Sequence, residues 1–207
     1  DPVRGELVID RDHLLVMNAG RSFWHSERTL STDPPLRMLQ IMVRPREADL
    51  EPVIQFGGLD PAPANAWRHL SGPEGSPAPF FVRSAIDLYD IRLEAGAKGT
   101  FPMQPGRMLY FYIFSGAIEA GGHRFGEAEQ GLYSGNGPLE FTAAFGAVVV
   151  AFLVDLRAGV AKCGTVGDIA GIPSPRWVPA LRAMTSIGLL QAVFAVRRGF
   201  RRFGGKT

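Results

Sequence analysis

Residues Leu14 to Glu27 read LLVMNAGRSFWHSE. The apolar run Leu14 to Met17 leads into Asn18-Ala19-Gly20, where Asn and Gly tolerate the left-handed backbone that a tight turn needs. The pattern predicts a strand that stops at this turn and a second strand that begins beyond it. In a strand, residues two apart face the same side, so His25 and Glu27 point together. An imidazole nitrogen beside a carboxylate oxygen suits a transition metal such as iron, nickel, copper or zinc. Taken alone, a His-x-Glu pair equally fits a histidine on a barrel wall with its glutamate in solvent.

Outward from this stretch the pattern stays extended. From Leu36 to Phe56, Leu39, Ile41 and Val43 alternate with Met38, Gln40, Met42 and Arg44, the period of a half-buried strand, and Pro45 ends it. Residues 57–79 are rich in proline and glycine and show almost no periodicity, which predicts a linker and a domain boundary. From Phe80 onward, apolar runs (Val82 to Leu93, Met108 to Phe114, Leu139 to Thr142, Ala147 to Leu156) alternate with turn signals. These are Gly96, Pro105-Gly106, Ser115-Gly116, Gly121-Gly122, Gly131 and Gly135-Asn136-Gly137-Pro138. Short strands with glycine-rich turns and no helical crossovers predict an all-β sandwich or barrel. After Pro179 the spacing becomes helical. Leu189, Val193, Val196, Phe200 and Phe203 recur along one stripe, with Ile187, Leu190 and Phe194 opposite and Gly204-Gly205 as a stop. The tail is read as a terminal helix docked on the body, with a basic amphipathic helix lying on a membrane as the competing reading.

Composition bounds the function. The chain has 207 residues with 25 Gly and 16 Pro, a surplus that argues against long helices. A hydrophobic fraction of 46% supplies a core, and 20% charged residues is too few for a solvated disordered chain. The single cysteine, Cys163, excludes an internal disulfide and a Cys-only zinc site, so a reducing compartment, the cytoplasm, is expected. Cys163 has no neighbouring base in the sequence to make it a nucleophile. The chain opens at Asp1 without an initiator Met or a signal-peptide pattern, so an upstream segment is expected. The longest apolar run, Ala143 to Val154, falls short of the roughly 18 residues a spanning helix needs, so no membrane span is expected. The net charge is +2, yet no acid follows Asp168, whereas Arg176, Arg182, Arg197, Arg198, Arg201, Arg202 and Lys206 do. The basicity therefore belongs to one tail, and direct DNA binding is not expected.

The opening stretch resembles the pirin family of the cupin superfamily, in which a strand leads to M-T-A-G-R-G-x-x-H-S-E. The corresponding residues are Met17-Asn18-Ala19-Gly20-Arg21-Ser22-Phe23-Trp24-His25-Ser26-Glu27. The resemblance continues through Leu39-Gln40-Ile41-Met42-Val43 with Pro45, through Glu51-Pro52-Val53-Ile54-Gln55, and through Leu88-Tyr89-Asp90-Ile91-Arg92-Leu93-Glu94-Ala95-Gly96-Ala97. In the tail it includes Gln191-Ala192-Val193-Phe194 and Arg202-Phe203-Gly204.

The resemblance implies an all-β bicupin: two double-stranded β-helix barrels followed by a C-terminal α-helix. Residues 1–56 would be the remainder of an incomplete N-terminal barrel, 57–79 the linker, 80–156 the C-terminal barrel and 157–207 the tail whose helix docks on the body. It implies one divalent transition metal, iron first, with nickel, copper or zinc as alternatives. Pirins ligate it through an H-x-H pair and the His and Glu of H-S-E. Here His25 and Glu27 match the second pair, and the H-x-H is expected before Asp1. His13 sits where the family has a turn residue and is not expected to replace it. In the second barrel Pro102-Met103-Gln104-Pro105 offers no imidazole or carboxylate, so no metal is expected there. His69, in the linker beside Trp67, and His123, in a hairpin turn, are expected at the surface.

Some pirins resemble flavonol dioxygenases of the quercetin 2,3-dioxygenase type. That implies Glu27 as catalytic base toward the hydroxyl of a small aromatic substrate, oxygen attack, ring opening and loss of carbon monoxide. Phe23, Trp24, Met38 and Met42 are candidate pocket lining, each of which could equally be barrel core. The alternatives are a non-enzymatic, metal-dependent pirin that regulates a partner protein, and a cupin with a degenerate site. The chain is expected to act as a monomer.

Overall fold

Glycine and proline recur often enough to discourage long helices, and among the described residues strands fill the intervals between them. The computed structural model describes residues 7–21, 25–35, 37–161 and 200–203, and among these every regular element is a strand. The chain forms two compact units; of the described residues, those up to Gly58 together with 159–161 belong to the first, and 59–158 together with 200–203 to the second.

In the first unit β1 (His13–Asn18) runs antiparallel to β2 (Val53–Gly58), in register from His13 opposite Gly58 to Asn18 opposite Val53. The predicted turn after Asn18 is present. Gly20 has φ +56°, and a Cβ there would lie 2.0 Å from the Leu50 carbonyl oxygen, which accepts the Arg21 N–H at 2.8 Å. Only glycine fits at that position. The two strands expected beyond the turn are not formed. Residues 25–30 pair with nothing as a strand, and of 37–44 only Val43 makes an isolated bridge. Alternation prepares a segment for a sheet, but a strand exists only where a second backbone completes its ladder.

The second unit holds β3 (Arg68–Pro73), β4 (Phe80–Val82), β5 (Ile86–Leu93), β6 (Lys98–Phe101), β7 (Arg107–Ala120), β8 (His123–Gly126), β9 (Gln130–Tyr133), β10 (Leu139–Thr142), β11 (Ala147–Asp155) and β12 (Phe200–Phe203). Its main order is β12-β9-β7-β11-β5-β3-β4, with β8 and β10 also on β7 and β6 on β10. The expected all-β class is what the structure shows. The 14-residue β7 organises this unit. Its first half lies between β9 and β11, and its second half pairs with β8 and β10. The exchange of partners is centred on Ser115-Gly116, next to a bulge in which Phe114 of β7 is the extra residue opposite the Val148–Val149 step of β11. These two residues were expected as a turn between strands; they are instead a kink inside one strand. Gly131, likewise read as a turn, lies within β9.

The curled sheet closes on a core of Leu109, Phe111, Ile113, Phe125, Phe141 and Val149, each with no exposed surface, joined by Ile91, Phe101 and Leu153 at 1%. Phe111 meets Phe125 and Phe141 edge to face at 4.9 and 5.1 Å, and Trp67 meets Phe101 and Phe141 likewise. Each fully buried side chain of this kind stabilises the fold by about 1.5–3 kcal/mol. The opposite face of the same strands is also buried. Met108, Tyr110 and Tyr112 alternate with the core residues of β7, and Tyr110 packs on Phe152 at 5.6 Å.

Two further expectations are corrected. Residues 57–79 are not a linker throughout, because 68–73 form β3, antiparallel to β5 and parallel to β4. What joins β3 to β5 is charge rather than apolar periodicity: the Arg68 guanidinium grips both oxygens of Asp90 at 2.9 and 2.7 Å. Phe200 and Phe203, read as the last turns of a helix, belong to β12, which pairs parallel with β9. Docked-helix positions Leu189, Val193 and Val196 lie outside the described residues, as does Cys163. The apolar run Ala143 to Val154 is largely β11, and no helix among the described residues is long and apolar enough to cross a membrane.

Candidate functional site

The turn at Gly20 fixes where the chain leaves β1. Arg21 is held twice, its N–H by Leu50 and its guanidinium by the Glu51 carboxylate, so the segment that carries His25 starts from a defined point. His25 and Glu27 are then brought together: Nε2 of the imidazole lies 3.6 Å from Oε1 of the carboxylate, with the side chains 38% and 43% exposed. Sequence spacing places the two on one side only if the segment is extended, and the structure keeps them adjacent without a strand ladder.

A transition metal bonded to a histidine nitrogen and a carboxylate oxygen sits about 2.0–2.2 Å from each. Two such bonds separate the donor atoms by about 3.0 Å at a right angle and about 3.4 Å at a tetrahedral one, from the same bond lengths. The observed pair is within a small side-chain adjustment of those separations, and both side chains are partly exposed. It fits as two donors of a larger set. Among the described residues no group of three or more His, Cys, Asp or Glu side chains converges.

Met38 is 54% exposed, Met42 is partly buried, and Phe23 and Trp24 lie outside the described residues. His13 is engaged elsewhere: Nδ1 meets Asp10 Oδ1 at 2.7 Å and the ring stacks on Phe56 at 5.1 Å. The hydrogen bond from His13 holds the Asp10 carboxyl below its ordinary range, aided by the Asp12 backbone N–H.

In the second unit Met103 packs against the core, and the Gln104 side-chain oxygen accepts from Arg107 at 3.0 Å. His123 opens β8 at an exposed hairpin end. His69 differs from its expected surface position. It lies in β3 with its side chain 21% exposed, Nε2 is 2.9 Å from Asp87 Oδ1, and the ring stacks on Tyr89 at 4.4 Å. The other Asp87 oxygen meets the Arg107 guanidinium at 2.6 Å. This buried polar cluster was missed in the sequence, although one signal was present. Asp87 and Asp90 interrupt the apolar run Ile86–Leu93, and buried carboxylates require cationic or hydrogen-bonding partners. Burial, with Asp87 nearby, pushes the Tyr89 hydroxyl above the usual tyrosine range.

No family model matches the chain, and no curated protein matches it. Sixty-two chains of solved structures do. The bacterial pirin YhhW from Escherichia coli, in complex with nickel(II), is similar at 12% identity and TM-score 0.47, over 54% of this chain and 47% of that one. Quercetin 2,3-dioxygenase from Acinetobacter baumannii is similar at 13% identity and TM-score 0.44, over 54% of this chain and 43% of that one. The cupin domain of an XRE-family transcriptional regulator from Enterobacter cloacae is similar at 17% identity and TM-score 0.31, over 33% of this chain and 80% of that one. The chain spans about half the length of the pirin and dioxygenase chains it matches.

Proposed function

We propose that this chain is a pirin-like cupin that holds one divalent transition metal through His25 and Glu27 and acts on a small aromatic substrate, a flavonol in the manner of quercetin 2,3-dioxygenase. The observation that carries the reading is the 3.6 Å approach of His25 Nε2 to Glu27 Oε1 in the His-Ser-Glu segment. The remaining coordination positions fall to water, to substrate oxygens or to residues outside the described set.

Bound there, a metal supplies Lewis acidity toward a chelating hydroxyl and carbonyl, and iron, nickel or copper adds redox capacity. His25 contributes a neutral nitrogen donor. Glu27 contributes an anionic oxygen, and its second oxygen is the base for the proton of a substrate hydroxyl in this reading.

The test is metal content followed by turnover. Protein incubated with Fe(II), Ni(II), Cu(II) or Zn(II) and desalted is expected to retain one ion per chain, and the loaded protein to bleach flavonol absorbance under oxygen with release of carbon monoxide. Absence of retained metal overturns the whole reading. Retained metal without bleaching across flavonols overturns the dioxygenase part and leaves a metal-dependent regulator of a partner protein.

A further inference from the structure

We propose that Asn136 is a site of self-catalysed deamidation, selected among the asparagines of the chain by its place in the fold. The chain has three, Asn18, Asn65 and Asn136. Asn136 lies in the loop between β9 and β10, exposed, and is followed by the exposed Gly137. Neither the Asn136 side chain nor the Gly137 N–H has a hydrogen-bond partner among the described residues. A glycine on the C-terminal side leaves the attacking nitrogen unshielded by a Cβ and its backbone free to rotate.

The other two are held. The Asn65 side chain donates to Glu94 Oε2 and accepts the Glu94 N–H, both at 2.9 Å, and its own N–H is bonded to Arg92. Asn18 closes β1 opposite Val53. Both precede alanine rather than glycine.

The reaction needs only the chain and water. The Gly137 nitrogen gives up its proton and attacks Cγ of Asn136. A C–N bond forms, the C–NH2 bond breaks, and ammonia leaves with the proton, closing a succinimide. Water then opens the ring at either carbonyl, giving aspartate or isoaspartate. No electron is transferred, and the loop gains one negative charge. The isoaspartate product inserts an extra backbone atom beside Gly137, whose carbonyl accepts the Tyr133 hydroxyl at 3.2 Å. That bond lies one residue before Pro138 and two before the start of β10, so the modification loosens the entry to this strand.

Intact protein aged at mildly alkaline pH and mapped by peptide mass spectrometry, with isoaspartyl methyltransferase labelling, tests the assignment. Conversion is expected at Asn136 several-fold ahead of Asn18 and Asn65, at the same rate in folded and denatured protein, whereas Asn65 speeds up on denaturation. Gly137→Ala provides the control. Gly137 does not have a positive φ and an added Cβ would meet nothing within 4 Å, so the variant keeps the wild-type melting temperature while conversion slows several-fold. Conversion first at Asn18 or Asn65, an unmodified Asn136, or a wild-type rate in Gly137→Ala overturns the proposal.

Discussion

His69 and Asp87 face each other across β3 and β5, Nε2 to Oδ1 at 2.9 Å, His69 lying in a stretch whose proline content reads as linker and Asp87 in an apolar strand. Asp87 is the centre of the arrangement. Its side chain is 8% exposed and it also meets Arg107, 14% exposed, whose guanidinium donates onward to the Leu153 carbonyl at 2.6 Å. One carboxylate thus ties β3, β5 and β7 together, and Arg107 reaches β11.

Replacing Asp87 by Ala leaves the Arg107 charge buried without its carboxylate. Removing one partner of a buried pair costs about 3–5 kcal/mol, so Asp87→Ala is expected to lower the urea midpoint of the second unit sharply. His69→Ala removes the stacked ring and one hydrogen bond but strands no charge, and should cost less. Equal midpoints for Asp87→Ala and wild type in urea titrations would sink the view that this carboxylate holds three strands.

Tyr110 is buried, and its hydroxyl donates to the Gln130 side-chain oxygen. Burial raises its ionisation far above the usual tyrosine range. The sign follows from linkage: the folded protein resists losing this proton more than the unfolded chain does, so the contribution is whole below the unfolded value near 10 and is lost as pH rises beyond it. Denaturation series at rising pH should show wild-type stability falling above about pH 10. Tyr110→Phe should fall less steeply, while losing about 1–3 kcal/mol at neutral pH because Gln130 is left without its donor. Parallel curves for the two proteins would contradict this.

Gly116 has φ +77°, and a Cβ there would stand 2.2 Å from the Gly146 carbonyl oxygen. Gly116→Ala combines the cost of a left-handed alanine, about 1–2 kcal/mol, with a collision against backbone that cannot rotate away. A drop in melting temperature is expected, in contrast to Gly137→Ala, which keeps the wild-type value. A melting temperature equal to wild type would show that β7 does not need this kink.

His25→Ala should abolish stoichiometric metal uptake, and Glu27→Gln should weaken it while keeping a neutral oxygen donor. Equilibrium dialysis with Ni(II) or Fe(II) separates the two, since metal sites demand charge as well as geometry. Full occupancy in His25→Ala would place the site elsewhere.

The strands of residues 80–156 were legible because their information is local. Side-chain alternation and the turn chemistry of Gly96, Pro105-Gly106 and Gly121-Gly122 act over a few residues, and Leu139–Thr142 and Ala147–Asp155 appear where those signals set them. The turn at Asn18-Ala19-Gly20 was legible for the same reason, and with it the adjacency of His25 and Glu27, two residues apart.

Pairing was not legible, because it is decided between distant segments. Leu39, Ile41 and Val43 alternate as a strand should, yet the described residues supply no ladder for 37–42. Arg68 and His69 sit among prolines and glycines, yet two carboxylates 22 and 18 residues further on draw them into a sheet. Phe200 and Phe203 share a helical stripe with Val196, yet the free edge of β9 takes them as a parallel strand. The sequence by itself determined the all-β character, most of the turns and the adjacency of His25 and Glu27. Only the tertiary structure decided which backbones meet and which buried charges hold them, because hydropathy has a short period and an ion pair across a sheet has none.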